Sequence, residues 1–257
     1  MGALLGSCGL PSDYLVQVQR NLVPGQTMVH KFGRNDAVPN GSWAFVNLLG
    51  FTGWPLSAAT TVRVKAGNAA DTGIGAGARQ VTVQGIDSNF NEISEAITTT
   101  GGVASSVTSA SFWRVHRAWV SVAGTYGAAN TAAVVIENGA GGTDLLQIAI
   151  EEGQTQFAGW TVPIGKTAYL LSAHVTVDGN KAANIRMMTR ANMDDASGDL
   201  SSVRLKLHWD GVLGSFSYRP KGPELSVAAK GDIWFEAWGG GAQTECSVDF
   251  ELLVIDD

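Results

Sequence analysis

Hydrophobic and polar positions alternate with a period of two along most of this chain. Such alternation puts successive side chains on opposite faces of a strand, so one face can be buried and the other wet. The clearest early runs are Thr61–Gly67, Arg79–Asp87 and Trp113–Gly124. Thr131–Gly139 and Leu145–Gly153 flank the glycine-rich stretch Asn138–Gly142 and predict a hairpin. Later runs follow at Ala168–Asn180, Ala183–Arg190, Ser202–Gly211, Ser215–Gly222, Glu224–Gly240 and Cys246–Asp256. Turn signals such as Gly85–Asn89, Asp178-Gly179-Asn180, Asp210-Gly211, Pro220-Lys221-Gly222 and Lys230-Gly231-Asp232 separate them. No stretch carries the 3.6-residue period of an amphipathic helix of three turns or more. The expected fold class is all-β, built of β-sandwich or jelly-roll domains.

The first 55 residues break this pattern. Pro11, Pro24, Pro39 and Pro55 interrupt them, yet they hold Phe32, Trp43, Phe45, Phe51 and Trp54. A stretch that apolar would aggregate if left free. The expectation is an extended N-terminal arm over 1–55 that lies on the body or on another subunit, with those five aromatic residues as interface anchors to a larger assembly or a sister subunit. A β-sandwich domain is expected over 56–157 and a second sandwich or jelly roll over 158–257. The boundary is set near Gly153–Gly159, where strands rich in small residues give way to strands with larger side chains. A single intertwined sandwich is the alternative.

Composition narrows the class of function. The chain has 257 residues, 45% of them hydrophobic and 16% charged, which is too apolar for disorder and ample for a core. The formal net charge is -6 and no dense run of Lys and Arg occurs, which argues against direct binding of nucleic acid. Cys8 and Cys246 are too few and too far apart for a disulfide scaffold and read as free thiols. Met1–Leu10 has no basic segment ahead of its short apolar run, so no signal peptide is expected. No window reaches the ~18 apolar residues of a membrane span. A soluble protein with no membrane partner is expected.

The chemical motifs mostly reduce to turns. Pro163-Ile164-Gly165-Lys166-Thr167 ends like a phosphate-binding loop, but that loop needs glycine where Trp160 stands, and a helix afterwards. Here an alternating run follows, so Ile164-Gly165 is expected to turn between two strands, with Lys166 facing solvent. Gly73–Ala78 matches a dinucleotide fingerprint only literally, because a strand pattern follows it too. His30, His116, His174 and His208 are isolated, and His208 with Asp210 lacks further ligands for a metal. Asp194, Asp195 and Asp199 form an acidic loop whose oxygens suit Ca²⁺, although the spacing is not that of an EF-hand. Glu92 with Glu95 and Glu151 with Glu152 read as surface charge. Eight tryptophans stand out as core, interface or sugar-stacking residues. No catalytic residue, cofactor or resident metal is assigned.

Three stretches carry a resemblance: His30–Trp43; Val64–Gly102 followed by Phe112–Ser121; and Gly153–Leu170. In that order they resemble a group of structural proteins of tailed, marine-type bacteriophages. The resemblance implies a non-enzymatic virion protein assembled in the host cytoplasm. It implies other virion proteins as partners: the major capsid protein, or tail and neck components. A capsid decoration (cement) role is favoured, as a homo-oligomer and most simply a trimer. The alternatives are a tail or neck adaptor or fibre-attachment protein, a lectin-like receptor-binding module and, in a different class, a glycan depolymerase.

Overall fold

The computed structural model describes residues 13–194, 201–222 and 225–257. At 53% strand and 3% helix, the chain is all-β. One short helix, α1 (Tyr14–Gln19), opens the described chain and is capped by the Asp13 carboxylate, which accepts from the Val16 amide. No helix among the described residues is long and apolar enough to cross a membrane.

The strands are β1 (Gln26–Val38), β2 (Ala44–Phe45), β3 (Val62–Ala66), β4 (Ala78–Ile86), β5 (Glu92–Thr98), β6 (Arg114–Ala123), β7 (Val134–Asn138) and β8 (Asp144–Ile148). They continue with β9 (Gly159–Thr161), β10 (Lys166–Val177), β11 (Ala183–Arg190), β12 (Val203–Val212), β13 (Gly214–Tyr218), β14 (Ser226–Val227), β15 (Asp232–Gly239) and β16 (Thr244–Asp256). Nearly every alternating run named above is one of these strands. The expected turn at Ile164-Gly165 joins β9 to β10, with Gly165 at φ +68° and Lys166 paired to Asp256 at 2.7 Å.

Four small sheets result, set in a propeller-like ring rather than as one clear jelly-roll sandwich. Two are five-stranded. One has the order β1-β16-β10-β13, with β14 also on β10; the other has the order β12-β11-β15-β2, with β9 also on β15. The other two are three-stranded, β3-β7-β8 and β5-β4-β6. One core, including Val175, Val248 and Phe250 from the first five-stranded sheet and Ile185, Ile233 and Phe235 from the second, lies between those two sheets. A second core, including Val64, Val83, Val134 and Ile136, lies between the three-stranded sheets.

Residues 1–55 do not form an arm where they are described. β1 runs antiparallel to β16 from Gln26↔Ile255 to Asn35↔Cys246, with Val38↔Thr244 beyond a bulge. The expectation failed because β1 inverts the usual pattern. Along its middle the buried positions are Lys31, Gly33 and Asn35, with an apolar residue, Val38, buried only at its end, while Phe32 on the other face is only half-buried. Met1–Leu10, with Cys8, lies outside the described residues.

β2 and β9 are two pieces of one strand line. Along β15, Ala44 and Phe45 pair Ala237 and Glu236; then Gly159, Trp160 and Thr161 pair Trp234, Ile233 and Asp232. Where the line breaks, the Ala158 amide donates to the Val46 carbonyl at 3.0 Å, and Asn47 bridges Phe157. The chain therefore leaves a strand at Val46, builds the two three-stranded sheets, and resumes the same strand at Ala158. Gly33 of β1 faces this break. A Cβ there would lie 2.2 Å from the Val46 carbonyl oxygen and 2.3 Å from the Ala158 nitrogen, so no side chain fits. Gly33→Ala should cost about 1–3 kcal/mol, seen as a lower denaturant midpoint. An unchanged midpoint would mean that β1 does not press on the break.

Candidate functional site

The five aromatic residues expected at an interface divide in two. Phe45 is buried, and its ring packs on Phe51, Trp54, Phe157 and Trp234 with centroids 5.3 to 6.2 Å away. Phe45, Phe51 and Trp54 thus belong to the joint between the two parts of the molecule, because the chain crosses from one part to the other at that point. They are not free to anchor a neighbour. Trp43 is half-buried, with the Arg186 guanidinium 4.0 Å over its ring and His208 and Trp238 at its edges. Phe32 is half-buried against His30. None of the eight tryptophans falls in the exposed class.

Polar groups fasten the same joint. Arg114 of β6 reaches across to Asp232 of β15 at 3.2 Å, with the two side chains 5% and 0% exposed. Asp232 also accepts from the Thr161 hydroxyl at 2.6 Å, and Arg114 donates to the Leu56 carbonyl and lies 4.6 Å over the Trp54 ring. A buried pair satisfied from this many sides is stable only while complete. A third tie comes from Phe90, in the turn between β4 and β5. It holds φ +65°, packs on Ile86 and Met193, and lies under the Lys230 ammonium at 5.0 Å. Its carbonyl accepts from the Ile164 amide at 3.0 Å.

The candidate site is at one end of the inserted sheets, where three loops meet around Asp71. This carboxylate is fully buried and accepts from the amides of Ala78, Thr131 and Ala132 and from the Thr131 hydroxyl, at 2.8 to 3.1 Å. One aspartate thus ties loop 67–77 to loop 124–133. Its backbone carbonyl also accepts from Gly101 at 2.9 Å, which brings in loop 99–104. Arg79 holds the first loop from beneath through the carbonyls of Gly75 and Ile74. On these tethered loops stand Ile74, 90% exposed; Val103, 66% exposed; and Tyr126, fully exposed. Large apolar side chains held out into water on ordered loops are what a docking surface needs, since little ordering is left to do on binding. Gly73–Ala78, whose match to a dinucleotide fingerprint is only literal, runs through the end of the first loop into β4. A lone exposed apolar residue in a loop has no periodicity to mark it.

The remaining candidates separate. His174 bonds Ser217, His208 pairs Asp210 at 3.2 Å, and His30 lies 3.6 Å from Asp249. No group of three His, Cys, Asp or Glu side chains suited to a metal occurs among the described residues. Asp194 pairs with Lys230 at 2.7 Å; Asp195 and Asp199 lie outside the described residues. Cys246 is a buried free thiol, and burial pushes its pKa up to about 12, which removes thiolate reactivity near neutral pH. The sequence matches no known family model and no curated protein.

Removing one partner of the Arg114–Asp232 pair should therefore cost about 3–5 kcal/mol, whereas replacing both with apolar residues should recover most of it. Chemical denaturation of Asp232→Ala and of the double variant Arg114→Met with Asp232→Leu checks this. Equal losses in the two would contradict a joint held by the pair.

Proposed function

We propose that the protein is a structural component of a bacteriophage virion that decorates the capsid shell. It would dock by burying the Ile74, Val103 and Tyr126 loops against other virion subunits. The observation that carries this reading is the strand order of the larger unit. With β2 and β9 counted as one strand, its sheets run β1-β16-β10-β13 and β12-β11-β15-β2/β9. That order is the one produced by two interlocked Greek keys, and we read it as a jelly roll, an architecture used by viral capsid proteins and by lectins. The two smaller sheets then form a second, sandwich-like unit spliced into one jelly-roll strand. This unit carries the exposed loops away from the point where the two units join.

Docking by this tip replaces the expected docking by an arm. The anchors change, but the physical basis does not: a few well-placed apolar side chains dominate an interface, and repetition around a symmetric shell adds avidity. The resemblance over 30–170 supports the virion setting. A closed homo-oligomer, a trimer in the simplest case, would present several tips at once.

The test uses gold-labelled antibody on particles of a phage encoding the chain, alongside a variant carrying Ile74→Asp and Tyr126→Asp. Even labelling over the head, lost in the variant while its unfolding temperature stays unchanged, is the expected result. Label confined to the neck or tail would refute decoration, and absence of label from every particle would refute an exposed virion role. Full labelling of the variant would refute docking by this tip.

A further inference from the structure

β1 is an edge strand, and two side-chain hydrogen bonds link it to β6 of the inserted unit. Side chains, not a backbone ladder, tie the two strands. Lys31 Nζ donates to the carbonyl of His116, and Arg117 Nη2 donates to the carbonyl of His30 at 2.6 Å. The ties cross: each cation bonds the backbone of the strand that supplies the other. Beside them is a polar cavity of about 180 Å³, lined by Lys31, Arg117, His116, Gln84 and Trp160, with exposed Glu92 also in its wall.

The charges here do not balance. Lys31 is 4% exposed, and among the described residues neither Lys31 nor Arg117 forms an ion pair. Of the nearby acids, Asp232 is engaged by Arg114 and Asp249 by His30 on the opposite face of β1, while Glu92 in the cavity wall is exposed to water and forms no ion pair among the described residues. Lys31 has three N–H groups and a single carbonyl acceptor. The Thr161 amide donates to His116 Nε2 at 3.2 Å, so the neutral ring carries its proton at Nδ1. A buried cation without a counter-charge is costly, and the space beside it is wide enough for more than water alone. At roughly 30 Å³ per water, the cavity has room for one small oxyanion with part of its hydration shell.

We propose that this cavity is a binding site for a small oxyanion of phosphate size, held between Lys31 and Arg117. The protonation of the lining groups agrees. Burial, and then the charge of Arg117, hold Lys31 well below the ordinary lysine range. Burial, followed by Lys31, Arg114 and Arg117, does the same to His116. An anion favours the charged ammonium, so binding raises the Lys31 pKa, and protons are taken up between its free and bound values. The site is separate from the docking tip, and neither proposal depends on the other.

The test is calorimetric titration of the full chain with inorganic sulfate, an oxyanion of phosphate size that does not itself titrate near neutral pH, at fixed ionic strength and in two buffers of different protonation enthalpy. The expected result is one saturable site whose heat differs between the buffers in the direction of proton uptake. Lys31→Met should lose both the binding and the uptake. It places an apolar chain of similar length in a buried position, so the fold should persist, which circular dichroism checks. Arg117→Gln, at a half-exposed position, should weaken binding by about tenfold or more. No saturable heat at tens of millimolar sulfate would overturn the site. So would an affinity unchanged in both variants, or binding without proton uptake at any pH between about 6 and 9.

Discussion

The pairing of β1 with β16 is the constraint on which the rest of the molecule depends. β16 is the last strand of the chain, and β1 is the first of the described residues. Their ladder joins the two ends and covers what would otherwise be a long open edge. It also brings Gly33 against the broken strand and Lys31 and Asn35 into the interior. Asn35 then donates to the Phe45 carbonyl at 3.1 Å, so the first strand helps to fix the point from which the inserted unit departs. The insertion, the aromatic joint and the polar cavity all follow from where β1 lies.

An insertion into the middle of a strand demands a stiff joint, because two chain crossings in one place otherwise act as a hinge. Three separate devices meet that demand here: the ring cluster around Phe45, the buried Arg114–Asp232–Thr161 group, and the Phe90 turn held by Ile164 and Lys230. They differ in kind, one apolar, one ionic and one a backbone latch. A stiff joint matters for the proposed role, since a docking tip at the far end of a flexible unit would lose much of its avidity.

Most of the strands were legible because half-buried strands impose a period of two, as β3 shows with its alternating burial of Val62, Val64 and Ala66. The all-β class followed from such runs. β1 was misread as an arm because the period-two argument assumes that apolar residues point inward. Along the middle of β1 the inward positions are Lys31, Gly33 and Asn35, each placed by a specific partner or by a lack of space rather than by hydrophobicity, and only Val38 at its end follows the usual rule. The splice between Val46 and Ala158 was equally hidden. Strands of two and three residues, more than a hundred positions apart, leave no local pattern that would join them. The tryptophans stand out in the sequence, but sequence cannot distinguish a ring that seals an internal joint from one that meets a partner.

The most direct test of this account is native-state hydrogen exchange along β1. If β1 is integral to the fold, the amides of β1 that bond to β16 should exchange only with global unfolding, at the same free energy as the amides of β10 and β16. If β1 amides exchange freely while β10 and β16 stay protected, the first strand is an arm laid on a finished body. The closure, the splice and the polar cavity would then lose their common foundation.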